Sequence, residues 1–172
     1  MPSLTLGFDD LLRAPALGLG ATLAMDLWNQ LLKRAFGIPS LDLRLLGRWL
    51  LHMPSGTFLH AKIGAAAPKR FERAAGWLAH YSIGVALAVG FVLAAPRAWL
   101  AHPTLLPALG WGLVTVVFPF FLMQPALGLG VASAKAPKPW AARAKSLASH
   151  AAFGLGLYLA AWAAVGGARL FD

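Results

Sequence analysis

Two histidines and one aspartate inside apolar runs are the residues of this chain best placed to do chemistry. His80 lies seven positions after Arg73 and four before Gly84, and His150 repeats that spacing between Arg143 and Gly154. Across the fifteen positions from 73 to 87 and from 143 to 157, five residues coincide: Arg, Ala, His, Gly and Leu. Asp26 is the single charge of a third apolar run. Imidazole titrates near neutrality and ligates metals in its neutral form. Two imidazoles and a carboxylate at one level could therefore relay protons, coordinate a metal ion or accompany a small substrate through a membrane. Two histidines alone could ligate a b-type haem, with Gly84 and Gly154 leaving room for the ring. The plainer alternative is that Asp26 hydrogen-bonds a histidine and fixes helix packing, an interaction worth about 0.6–2 kcal/mol in membranes.

The elements that must position these residues follow from composition. Of 172 residues, 59% are apolar and 12% charged, roughly half the ~25% charged residues of soluble domains. Four runs are long enough to cross a bilayer as helices: 14–32, 74–95, 104–124 (or on to 132) and 146–165. Pro119 and Pro125 are the expected break points of the third. The expected architecture is all-α, one integral membrane domain over 1–172 built as a four-helix bundle. The opening Met-Pro-Ser-Leu-Thr, followed by Asp9 and Asp10, lacks the basic region of a cleavable signal peptide, so the first run is expected to be retained.

Charge placement sets the orientation. Eight of the 15 Lys and Arg fall between the first two runs (Lys33, Arg34, Arg44, Arg48, Lys62, Lys69, Arg70, Arg73) and four between the last two (Lys135, Lys138, Arg143, Lys145). Arg13, Arg97 and Arg169 remain for the other side. The positive-inside rule then places both basic loops in the cytoplasm and both termini outside. The net charge of +9 is thus a membrane signature rather than a nucleic-acid one. Within the first loop, 41–53 alternates basic Arg44, Arg48 and His52 with an apolar face, behind Ser40 as the expected N-cap. Such a helix lies in the headgroup plane, where those three residues would contact anionic lipid.

Depth brings the chemistry together. His80 and His150 each sit about 10 Å from an inner-side arginine, and Asp26 the same distance from Lys33. Gln124 reaches that level if the third span kinks. Matching the spans before the two histidines at an offset of about 98 aligns Met25-Asp26 with Met123-Gln124 and suggests a parallel two-plus-two helix repeat. Asp26, His80, His150 and Gln124 are accordingly expected to form one polar intramembrane layer. Gly76, Gly84 and Gly154 share faces with the histidines and allow close helix approach.

Other residues carry less. His52 and His60 read as interfacial, His102 as a turn residue, and Met25, Met53 and Met123 as core filler rather than copper ligands. Most tryptophans, Trp49, Trp77, Trp140, Trp99 and Trp162 among them, fit membrane boundaries. The absence of cysteine excludes thiolate catalysis, disulfides and covalent haem attachment. No hydrolase triad, zinc-protease motif or kinase signature is present, which points away from an enzyme.

Residues 21–28, 47–60 (Gly-Arg-Trp-Leu-Leu-His-Met-Pro-Ser-Gly-Thr-Phe-Leu-His), 76–81 and 121–128 (Phe-Leu-Met-Gln-Pro-Ala-Leu-Gly) together resemble a family of small bacterial inner-membrane proteins known only as a domain of unknown function. The resemblance implies a four-helix membrane protein and brings no activity, cofactor or catalytic residue. Three readings stay open: a transport-like polar site, a structural or assembly protein, and a bis-histidine haem protein. Four short spans are few for a transporter, so a homodimer is expected with the first.

Overall fold

In the computed structural model, residues 8–96 and 98–168 are described, and among them there is no strand. The order is α1 (Phe8–Phe36), α2 (Leu43–His52), α3 (Glu72–Ala94), α4 (Ala98–Ala101), α5 (Leu105–Val114), α6 (Gln124–Ala126) and α7 (Pro139–Ala168). The N-terminal pentapeptide and Arg97 and Arg169, the two charges expected on the outer side, lie outside the described residues. Three helical stretches are long and apolar enough to cross a membrane: Glu72–Ala94, Leu105–Ala126 and Pro139–Gly166. The 29-residue α1 has the length, but its second half carries Asp26, Asn29, Gln30, Lys33 and Arg34.

Several expected boundaries move. The third span ends at Ala126 rather than running to 132, because Gly128 turns the chain with φ +88°. The third apolar stretch is irregular at its first proline: α5 stops at Val114, a turn follows at 115–116, and Pro119 opens a π-helical stretch, Pro119–Met123, that continues into α6 across Pro125. The fourth helix starts at Pro139, so Arg143 and Lys145 lie on it rather than before it. The loop helix is shorter than 41–53, and its N-cap is Asp42, not Ser40. Asp42 wins because its carboxylate accepts both the Arg44 amide, at 3.0 Å, and the Arg44 guanidinium. That guanidinium holds the Asp42 carboxyl below its ordinary range. Ser40 instead donates to the Asn29 carbonyl.

Small residues set the helix contacts. A side chain at Gly84 would overlap Thr22 of α1, and one at Gly154 would crowd the Ala108 carbonyl of α5. Gly156 lies on Ala21 and Ala24. α1 therefore packs antiparallel to both α3 and α7, and α7 antiparallel to α5. The two halves are similar but in a different register from the expected one. Gly84 rests on Gly18 as Gly154 rests on Ala108, an offset of about 90 residues between α1 and α5 instead of about 98. The likeness is broken at the remaining interface, where α1 packs along α7 but α3 does not pack along α5. Gly20 meets Ala160, whereas Gly90, the counterpart of Ala160, meets the indole of Trp111, which donates to Leu87 O. That indole stands between α3 and α5, where a cleft of about 240 Å³ opens beside Phe91, Pro107 and Val114.

Two apolar cores result. The larger joins α1, α3, α4, α5 and α7 through Leu17, Phe91, Trp99, Phe153 and Leu157. The smaller, at the end of the basic loops, joins α2 to α6 through Leu46, Trp49, Ile63, Ala126 and Leu127. Trp49 and Trp99 are buried in these cores, each indole donating to a backbone carbonyl. The candidate site lies between the cores.

Candidate functional site

The crossing of α1 and α3 at Gly18 and Gly84 brings Asp26 level with His80. Asp26 Oδ1 accepts from His80 Nε2 at 3.0 Å, and Oδ2 accepts from Tyr81 Oη at 3.1 Å. Successive residues on a helix point about 100° apart, so His80 and Tyr81 straddle the carboxylate. Trp77, one turn earlier, stacks on Tyr81 and meets His80 edge-on. The pair is not sealed: the His80 and Asp26 side chains are 19% and 24% exposed.

His150 has a different partner. Its Nδ1 lies 2.8 Å from Thr115 Oγ1, and that hydroxyl donates its only proton to Gly112 O at 2.6 Å. His150 must therefore donate through Nδ1. Thr115 thus stands where Asp26 stands in the first half, a place the offset of 98 had given to Gln124. Gln124 instead donates from Nε2 to Ser146 Oγ at 3.3 Å. Ser149 donates to Asn29 Oδ1 at 2.8 Å.

The four residues expected in one layer are found within a set of hydrogen-bonded pairs. Asp26 and His80 come together; His150 goes to Thr115 and Gln124 to Ser146. Tyr81, Thr115, Asn29, Ser146 and Ser149 complete it. Of these, Tyr81 was legible as the neighbour of His80, and Ser146 shares the His150 face. Thr115 and Asn29 have no signal in spacing, because their partners are 35 and 120 residues away.

The residues do not fit a haem. The space credited to Gly84 is filled by Thr22 and Gly18, and that credited to Gly154 by Ala108 and Leu109. His80 Nε2, the atom that would ligate iron, is on Asp26. Among the described residues, no three His, Cys, Asp or Glu side chains are grouped as a metal site requires.

The loop residues expected at lipid headgroups are tied into the protein. Arg48 forks onto Glu72 at 2.8 and 2.9 Å and also reaches Ala66 O, holding α2 where Gly47 and Gly76 let it cross α3. His52 Nε2 lies 3.0 Å from Ala67 O. Arg44 is half exposed but paired with Asp42. His60, expected at the interface, turns inward against His52, with ring centroids 5.1 Å apart. Burial and that neighbour push its pKa down. The backbone around it docks on the end of the third span, His60 N to Ala126 O and Ile63 N to Leu127 O. Gly128 fits against the Ala61 carbonyl, leaving no room for a side chain.

The stretches 47–60 and 121–128 are thus the two sides of one interlocked joint. A family model described as "Protein of unknown function (DUF2938)" matches residues 16–164. The chain belongs to this family. The DUF2938 match runs from within α1 to within α7 and takes in the joint and every side-chain pair described above. No curated protein and no solved structure matched.

Proposed function

We propose that this DUF2938 chain is a bacterial inner-membrane protein of four spans, with both termini outside, in which the Asp26–His80 pair takes up and releases protons in a transport-like role. The geometry of Asp26 carries the reading. A carboxylate within a membrane segment is costly and is retained where it pairs or meets water. Asp26 does pair, accepting from His80 and Tyr81, yet a quarter of its side chain stays uncovered. Carboxylate, imidazole and phenol at about 3 Å spacing form a short proton relay. The antiparallel packing of α1 between α3 and α7 supports counting it as the fourth span. The gathering of both basic loops at one end, with Lys145 Nζ on Pro39 O, supports the inner-face assignment. Anionic headgroups at that face and a second copy of the chain are the partners this reading carries.

A structural role is the second reading, favoured by one observation. Each pair in the row links different helical segments, α3 to α1, α1 to α7 and α7 to the third span. Proteoliposomes holding a pH dye under an imposed membrane potential separate the two. Wild-type protein should pass protons faster than protein-free vesicles, and Asp26→Asn should fall to the vesicle rate. Equal rates for wild type and Asp26→Asn would leave packing as the layer's role.

A further inference from the structure

Three buried polar side-chain atoms are left over by the hydrogen bonding described above. Gln124 is 5% exposed, and its Oε1 has no hydrogen-bond partner among the described residues. Trp28 Nε1 and His60 Nε2 are likewise buried and unpartnered. These atoms are complementary, since an indole N–H only donates, an amide oxygen only accepts, and imidazole nitrogen does either according to tautomer. They also share a neighbourhood. Ala21 meets Gly156, so two turns further along these antiparallel helices Trp28 stands level with Ser149, on the stripe of α1 that faces α7. Ser146, one turn from Ser149, holds the Gln124 amide. His60 is docked by its backbone two residues beyond Gln124. The helix widens into its π-helical stretch immediately before Gln124, a distortion that recurs at functional sites.

We infer that Gln124, Ser146 and Trp28 form a binding site for a neutral hydrogen-bonding ligand, water or a small amide or alcohol, beneath the strap that carries His60. The groups with free valence are an amide, a hydroxyl, an indole and an imidazole, so the site offers both a donor and an acceptor and no fixed charge. The charged groups on neighbouring turns are engaged elsewhere: Arg143 donates to Ala132 O, Lys145 is turned to Pro39 O, and Asp26 is held by His80 and Tyr81. A ligand bridging Trp28 Nε1 to Gln124 Oε1 satisfies both orphaned atoms at once. The strap, held by the His60 and Ile63 amides and by Gly128 against Ala61, closes the inner side of the site.

The chain has no cysteine, so single-cysteine variants in nanodiscs report the site without background. A water-soluble methanethiosulfonate reacts with the thiolate, which forms only in a hydrated environment. Gln124→Cys and Ser146→Cys should react at least ten-fold faster than Phe153→Cys, whose position is 2% exposed in the main core. Each variant is first checked for monodisperse elution. If Gln124→Cys does not fold, Ser146→Cys decides. Added formamide or glycerol then separates the sources: an unchanged rate identifies water, and a slowed one a small amide or alcohol. Labelling of both positions no faster than at Phe153→Cys would overturn the inference. The readout does not involve Asp26, so this site and the proton-exchange reading stand or fall separately.

Discussion

Asp26 offers a way to separate what its hydrogen bonds do from what its charge does. Asp26→Asn keeps both contacts, since an asparagine Oδ1 accepts from His80 and its Nδ2 donates to the Tyr81 oxygen. Asp26→Leu removes both and leaves His80 and Tyr81 without a partner. Interhelical hydrogen bonds in membranes average about 0.6 kcal/mol and reach about 1.7. With two such bonds at 3.0 and 3.1 Å, Asp26→Leu should destabilise by about 1–3 kcal/mol, and Asp26→Asn by under about 1. For a chain of this size that is a fall of about 3–10 °C in Tm for the first and about 3 °C or less for the second. Helix loss by circular dichroism in one detergent, at fixed protein concentration, gives the comparison. Tyr81→Phe, which removes one bond, should fall between them. If Asp26→Leu is as stable as Asp26→Asn, the carboxylate bonds contribute nothing and the described pairing is not what holds α1 to α3.

Two further perturbations test the packing and the joint. Gly84→Ala places a methyl on Thr22 Oγ1 and should cost about 1–3 kcal/mol; Thr22→Ala in the same chain should restore part of it, and additive effects in a double-mutant cycle would contradict the close approach. His60 has its pKa lowered by burial and by His52, so below the ordinary 6.5 the unfolded or undocked strap binds more protons than the docked one. Docking is then fully present above that pH and weakens as pH falls below it. Amide exchange at His60 and Ile63, corrected for intrinsic rate, should speed up between pH 7.5 and pH 5.5; invariance would show that His60 does not respond to its burial.

The three long apolar helices were legible because length and apolar composition are displayed by any window of the chain. The faces were legible too: Gly76, Gly84 and Ala88 are buried on the side of α3 that spacing assigned to packing. Partners were not. Depth counting brought Asp26 to the level of His80, and the pair forms, but the offset of about 98 aligned Gln124, rather than Thr115, with Asp26. The register between α1 and α5 is set by where Gly154 meets Ala108 and where the π-helical stretch inserts extra chain, and neither is written in periodicity. The partners of the loop helix were not legible for a related reason. Arg48 recurs on a basic face as a lipid-binding residue would, and only the fold shows Glu72 waiting for it. The shared Arg, His and Gly spacing of the His80 and His150 segments conceals a chemical difference: one imidazole faces a carboxylate, the other a hydroxyl.

Infrared difference spectroscopy on acidification measures the central claim, that Asp26 exchanges protons with the aqueous phase while paired to His80. In membranes containing the wild-type protein, a protonated-carboxyl carbonyl band should appear reversibly as pH is lowered and shift in heavy water. That band should be missing from Asp26→Asn and altered in His80→Gln. A difference spectrum unchanged by Asp26→Asn would mean that Asp26 does not exchange protons with water, and would contradict the account.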